Sequence, residues 1–142
     1  YEIRLSLVGS EMCIRDRDGA SPAKQGVASR LVRQAHLQRT GIISFQVVQE
    51  TLQVISRKFQ VAVRPEDRPI FLRNVLVPLW RVMPSPALYG RALELQARYQ
   101  YSFYDSLILA AALESGCTRV LSEDLQDGQR IEGLTIENPF KD

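Results

Sequence analysis

The sequence predicts an α/β fold, a single domain in which a mostly parallel central sheet is flanked by helices on both faces. Two observations predict it. Short apolar and β-branched runs alternate along the chain with longer segments whose apolar residues recur at helical spacing. The length of 142 residues also suits one domain, because a chain of that size buries most of its apolar surface in one core.

The composition narrows the class of protein. Hydrophobic residues make up 45% of the chain and charged residues 24%, which is ordinary for a folded globular domain. No apolar run reaches the roughly 18 residues that a membrane span needs, so no membrane partner is expected. The net charge of +2 is too small to bind nucleic acid through the global field, so any such binding is local. Cys13 and Cys117 show neither metal-site nor disulfide spacing, which favours a reducing cytoplasm.

The first 17 residues differ in character from the rest. Ile3, Leu5 and Leu7 alternate with polar residues and predict a strand. The stretch VGSEMCIRDR, however, resembles the translation of a sequencing adapter. We therefore expect residues 1–17 to be a non-native N-terminal segment and residues 18–142 to form the domain.

The regular pattern begins at Ser21, which predicts a helix N-cap because Pro22 follows it at the first helical position. Gly41 is expected to end that helix. The β-branched and aromatic run at 42–45 predicts a buried strand, followed directly by a helix over about 46–59. The side chains predicted to face inward from that helix are Val48, Leu52, Ile55 and Phe59.

The middle of the chain predicts further helices. One is led by Pro65, and several prolines then bracket a brief apolar segment around Trp80. Ser85 and Pro86 repeat the cap-then-proline signal, and the next amphipathic helix is expected to run to Tyr99. Residues 103–115 are almost wholly apolar, which predicts a helix sandwiched in the core and ended by Gly116. Strands are expected at 119–122 and 134–137.

Three acidic residues follow or flank the predicted strands. Ligands of open parallel sheets gather beyond the carboxyl ends of the strands. Glu50 lies one turn into the helix after the strand at 42–45, and Asp124 lies just past the strand at 119–122. Asp105 opens the apolar helix, where an unpaired carboxylate would be costly to desolvate. Taken singly, each acid also has an ordinary explanation as a solvated, dipole-stabilising or turn residue.

Carboxylates in such a cluster favour a hard divalent cation. Mg²⁺ and Mn²⁺ prefer oxygen ligands, whereas Zn²⁺ selects His or Cys. Two carboxylates about 4 Å apart repel by about 4 kcal/mol at an effective dielectric of about 20, so full ionisation needs a cation. A metal-activated water can attack a phosphodiester without a nucleophilic side chain. The sequence shows no Ser/His/Asp or Cys/His arrangement that would supply one.

The motifs ISFQVVQE, SFYDSLILAAALESGCTRVLSEDLQDGQ and NPF, in this order, resemble a PIN domain of the VapC toxin type. The resemblance covers residues from about 18 to 140. It implies an Mg²⁺-dependent (or Mn²⁺-dependent) endoribonuclease, commonly a homodimer, that is the toxin of a type II toxin–antitoxin system and is neutralised by a cognate antitoxin. The implied catalytic and metal-binding residues are Glu50, Asp105 and Asp124, and Ser122 matches a hydroxyl residue that positions the substrate.

The sequence departs from the family pattern at its start. The family places a catalytic Asp at the end of the first strand, usually in a DTN-like motif, and this chain has no such motif. Asp16 and Asp18 lie nearer the loop into the first helix and are not assigned to that role. A second hypothesis is therefore a catalytically impaired module that keeps the fold and binds nucleic acid or the antitoxin.

A receiver-like signalling domain and a non-catalytic binding module share the predicted fold class. The receiver-like domain needs a lysine near a late strand end, and Lys24, Lys58 and Lys141 are wrongly placed for it. The binding module would use basic residues such as Arg64 and Arg68 for phosphate contacts. Solvated helix faces explain those basic residues more simply than a dedicated patch.

Overall fold

The computed structural model describes residues 3–4, 41–56, 64–122 and 125–138. Its strands are β1 Ile3–Arg4, β2 Gly41–Ser44, β3 Trp80–Val82, β4 Arg119–Leu121, β5 Arg130–Ile131 and β6 Leu134–Glu137. Its α-helices are α1 Phe45–Ser56, α2 Arg68–Phe71, α3 Pro86–Tyr99 and α4 Phe103–Glu114. None of the helices in these ranges is long and apolar enough to cross a membrane.

The strands confirm the predicted, mostly parallel sheet. β2 pairs in parallel with β1 on one side and with β3 on the other. β6 pairs in parallel with β4 and antiparallel with β5. β1 also lies beside β4, which brings the two groups of strands together. The strand β1 falls within the segment expected to be non-native, and it nevertheless pairs with β2.

Helices cover both faces of the sheet, as the sequence predicts. Successive side chains of a strand point to opposite faces. Accordingly Ile42 and Val120 pack into the core formed with α3 and α4. Their neighbours Ile43 and Leu121 pack instead with α1 and with the segment that precedes β3. Burial on both faces explains why these strands read as continuous apolar runs in the sequence.

The termini of α3 and α4 follow the predicted capping signals. The Ser85 hydroxyl accepts the Leu88 N–H at 3.0 Å, and Pro86 occupies the first turn, where its missing N–H is not needed. The Ser102 hydroxyl accepts the Asp105 N–H at 3.1 Å in the same way. Gly116, after α4, has a φ of 74°, the left-handed conformation that commonly ends a helix.

The segment before β3 is a less regular helix than predicted. It begins at Pro65, as expected, but passes through 3₁₀ turns, the short helix α2 and a π-helical stretch at Leu72–Leu76. Pro69 and Pro78 lie within it, and each removes a backbone donor that a continuous α-helix would use. The apolar segment around Trp80 is the strand β3, a state that the sequence did not assign.

Some boundaries differ from the predicted ones. Gly41, expected to end a helix, is the first residue of β2, and Phe45 begins α1 where a strand residue was predicted. The predicted helix that starts at Ser21 and the site residue Asp124 lie outside the described residues. The short strand β5 was not predicted, because two residues are too few to show an alternating pattern.

Candidate active site

Two candidate carboxylates lie on helices that meet at the carboxyl end of β2. α1 starts at Phe45, directly after β2 ends, and carries Glu50 in its second turn. The Gln46 side chain, one turn before Glu50, donates from Nε2 to the backbone carbonyl of Tyr104 at 3.1 Å. Residues four apart share a helix face, so Gln46 joins the Glu50 face of α1 to the residue preceding Asp105.

Asp105 lies in the first turn of α4 and is half-buried. Sequence reasoning placed it within a core helix, where a lone carboxylate would be costly. The structure corrects that point, because full burial begins at Ser106, the next residue along the helix. At the helix N-terminus, the partial positive charge of the backbone dipole stabilises a carboxylate. Asp105 therefore lies at the positive end of the α4 dipole, and it reaches the surface.

Tyr101 lies in the turn between α3 and α4, and the charge of Asp105 affects its phenol electrostatically. Its hydroxyl hydrogen-bonds to Gln129 Oε1. Burial raises the pKa of Tyr101 above its usual value, and the negative charge of Asp105 raises that pKa further. The phenol therefore keeps its proton to a higher pH than an unperturbed tyrosine.

The end of β4 lies against α1. Leu121 packs in the same cluster as Val47 and Val48 of α1. Ser122 follows it, is buried, and donates its backbone N–H to the carbonyl of Glu137 at 2.9 Å. The structure thus brings Ser122 towards the helix that carries Glu50, whereas Asp124 stays outside the described residues.

Buried polar atoms collect on the elements that carry these residues. Within the described ranges, Ser44 Oγ, Gln46 Oε1, Thr51 Oγ1 and Ser106 Oγ are buried without a hydrogen-bond partner. An unpaired buried polar atom costs free energy, and such groups in folded proteins are usually satisfied by water or ligand. The elements that carry the candidate residues therefore also bury several polar side-chain atoms.

The donor chemistry of the site suits Mg²⁺ or Mn²⁺ better than Zn²⁺. Glu50 and Asp105 offer carboxylate oxygens, and Ser122 offers a hydroxyl. The thiol of Cys117 lies before β4, at the opposite end of that strand from Ser122. In the part of the chain that the structure describes, which omits Asp124, no three His, Cys, Asp or Glu residues are grouped closely enough to hold a metal.

Sequence reasoning missed two residues of the site. Gln46 and Glu50 are spaced by four on one helix, a signal that could have placed Gln46 on the site face. No comparable signal existed for Tyr101, because its relation to Asp105 depends on the turn geometry and not on a helical spacing.

Comparisons with known proteins give a family match and a fold match. A family model described as "PIN domain" matches residues 14–130. Among solved structures, VapC20 of Mycobacterium tuberculosis, described as a sarcin-ricin loop cleaving toxin, is similar with a TM-score of 0.57 and 17% sequence identity. The superposition covers 87% of this chain and 92% of that chain, and at this identity the likeness concerns the fold. No curated protein sequence matches this chain significantly.

Proposed function

We propose that this chain, which belongs to the PIN domain family, has the site of a metal-dependent endoribonuclease and is the toxin component of a type II toxin–antitoxin system. The observation that carries the proposal is the junction of α1 and α4. There the Gln46–Tyr104 hydrogen bond joins the helix that bears Glu50 to the first turn that bears Asp105. The shared fold with a VapC toxin supports the same reading.

Each candidate residue has a distinct task in this proposal. Glu50, Asp105 and Asp124 hold Mg²⁺ or Mn²⁺ through carboxylate oxygens. When bound there, the ion would supply a water activated for attack on the phosphodiester and charge stabilisation for the leaving oxygen. The Ser102 hydroxyl accepts the backbone N–H of Asp105 and so fixes the first turn of α4 that carries it, and Ser122 positions the substrate.

The proposed partners are those that the resemblance to VapC-type PIN domains implies. The substrate is RNA, a cognate antitoxin covers the site, and two copies of the chain form a homodimer in the cytoplasm. The net charge of the chain is only +2. It therefore favours local contacts with RNA near the site, and it does not favour a broad basic binding surface.

A second candidate function is a catalytically impaired module that keeps the fold and binds nucleic acid or the antitoxin. One observation favours it. β1 ends at Arg4, and the sequence continues with Leu5, Ser6 and Leu7, so no acid stands where the family places its first catalytic Asp. This candidate also agrees with the proposal that residues 1–17 are non-native.

A chimera distinguishes the two candidate functions. In it, a first strand that ends in a DTN-like motif replaces residues 1–17. Incubated with single-stranded RNA and Mn²⁺, the chimera should cleave at least about 100-fold faster than the present chain, since one electrostatic group is worth about that factor. EDTA should stop the reaction. A folded chimera that binds RNA and leaves it intact would favour the impaired module.

In that chimera, Asp105→Asn should abolish cleavage while the urea unfolding midpoint stays close to that of the parent. The reason is that the amide keeps the size of the side chain and loses the charge that holds the ion. The matched control is Glu94→Gln, which removes one carboxylate charge from a side chain 73% exposed on α3. Undiminished cleavage by Asp105→Asn would rule out the assigned site.

A further inference from the structure

Four aromatic rings form a continuous row between α1, α3 and α4. Phe45 and Tyr89 meet edge to face, with ring centroids 6.4 Å apart. Tyr89 and Phe103 are stacked at 6.3 Å with an interplanar angle of 25°, and Phe103 meets Tyr104 edge to face at 5.6 Å. These are the arrangements that aromatic pairs prefer. We refer to Phe45, Tyr89, Phe103 and Tyr104 as the aromatic row.

The aromatic row is anchored in the core at one end and exposed at the other. Phe45 is 7% exposed and belongs to the main core, and Phe103 packs against the same core. Tyr89 is 38% exposed and Tyr104 is 65% exposed. Phe45 and Phe103 therefore restrict the motion of Tyr89 and Tyr104. The Tyr104 side chain consequently loses little conformational entropy when a ligand stacks on it.

The exposed end of the aromatic row adjoins the candidate active site. Tyr104 directly precedes Asp105 in the first turn of α4. Its carbonyl accepts the hydrogen bond from Gln46, so the backbone beneath the ring is fixed to α1. Phe45 begins the same helix that carries Glu50. A base on Tyr104 would therefore lie at the same helix turn that carries Asp105.

We propose that the aromatic row is a stacking platform for a nucleobase of single-stranded RNA, with Tyr104 as the ring that contacts the base next to the scissile phosphate. Unpaired bases stack on aromatic side chains, and the contact tolerates any base because every base has a π-face. The inference rests on the proposed function and specifies its substrate as unpaired RNA. A protein partner bound to the same rings would cover the site instead. The test described below includes that alternative among its outcomes.

The test measures RNA binding without cleavage. Fluorescence anisotropy of a short, end-labelled single-stranded RNA of mixed sequence is followed in EDTA at low salt with the present full chain, and a denaturing gel checks that the RNA is intact. The second probe has the same sugar–phosphate backbone with abasic residues throughout. Light scattering gives the mass of every protein variant under the same conditions.

Tyr104→Ala should weaken binding of the normal RNA by between about fivefold and about 150-fold, the range that stacking of one base contributes. Tyr104→Phe retains the ring and should bind within about twofold of the parent. The matched control Leu93→Ala removes a side chain that is 55% exposed on α3 and outside the aromatic row, and it should bind as the parent does. On the abasic probe, Tyr104→Ala should cause no further loss.

Three binding results would overturn the platform. These are unchanged binding by Tyr104→Ala, an equal loss on the abasic probe, and a parent chain that does not bind RNA. A change of mass in Tyr104→Ala would also overturn it, because the rings would then lie between copies of the chain. Failure of the nuclease proposal is distinguishable, since it appears as a DTN-bearing chimera that does not cleave while ring-dependent RNA binding persists.

Discussion

Tyr101 is the residue at which the acidity of the site affects the stability of the protein. Burial raises the pKa of its phenol above the usual value of about 10, and the charge of Asp105 acts in the same direction. The folded state therefore binds this proton more tightly than the unfolded chain. Its contribution to stability is complete below about pH 10 and is lost as the pH rises further.

We predict that Tyr101→Phe makes the free energy of unfolding less sensitive to alkaline pH. Urea unfolding between about pH 9 and about pH 11 should show a shallower decline for the variant than for the parent. Loss of the hydrogen bond to Gln129 also lowers the stability of the variant at the pH values where the phenol of the parent is protonated. Asp105→Asn serves as the second variant, because removing that charge should lower the pKa of Tyr101 without reversing the effect of burial. Equal slopes in parent and Tyr101→Phe would contradict the assignment.

At this scale the sequence pointed to candidate residues without reporting their surroundings. Asp105 was chosen because its neighbours along the chain are apolar, yet burial begins one residue later and Asp105 reaches the surface. Neighbours in sequence were mistaken for neighbours in space. The role of Gln46 depends on a hydrogen bond across 58 residues, and no local pattern reports such a partner.

The helix caps give a prediction for single elements. Ser85 and Ser102 cap α3 and α4 through the same bond, from the side-chain oxygen to a backbone N–H three residues on. Replacing either by Ala should lower the free energy of unfolding by about 1 kcal/mol. Only Ser102→Ala should also slow RNA cleavage by the DTN-bearing chimera, because its partner N–H belongs to Asp105.

Urea denaturation and a cleavage time course on the same preparations check this pair. Since the two caps are matched in geometry, Ser85→Ala controls for the general loss of stability. An equal reduction of cleavage in both variants would mean that stability, and not the position of Asp105, controls the rate.

Elements with strong local signals were predictable. The cap-then-proline pattern at Ser85 and the glycine after α4 fix their helix boundaries, and the structure confirms both. The π-helical stretch at Leu72–Leu76 and the strand β3 were not predictable. In that segment prolines interrupt the periodicity, and pairing with β2, a tertiary contact, decides the conformation.

α4 is the central buried helix of the fold, and the stability of the whole molecule depends on its packing. Leu109 is 0% exposed and packs among residues of α3 and the sheet. We predict that Leu109→Ala lowers the free energy of unfolding by about 2 to 5 kcal/mol through lost contacts and the cavity left behind. That is a large share of the roughly 5 to 15 kcal/mol of a typical domain.

Leu93→Ala is the matched control in this urea experiment, since it makes the same change at a position 55% exposed on α3. It should change the free energy of unfolding by no more than about 0.5 kcal/mol. Comparable losses at the two positions would mean that α4 is not the centre of the core.

The fold class was predictable at this scale because burial on two faces leaves a clear pattern in the sequence. Strands that are apolar at consecutive positions, such as β2 and β4, need cover on both sides, and the sheet has it. The neighbours within the sheet were not predictable, because β1 and β4 are distant in the chain and no turn between them specifies their adjacency.

The edges of the sheet have a consequence for the behaviour of the protein at high concentration. β5 pairs only with β6 and is two residues long, and β3 pairs only with β2 and is three residues long, among the strands that the structure describes. The side chains of Arg81 and Arg130 are exposed on these strands. Short, charged edges offer few backbone groups for another chain to pair with. The described strands thus protect the molecule against the edge-to-edge association that leads to fibres.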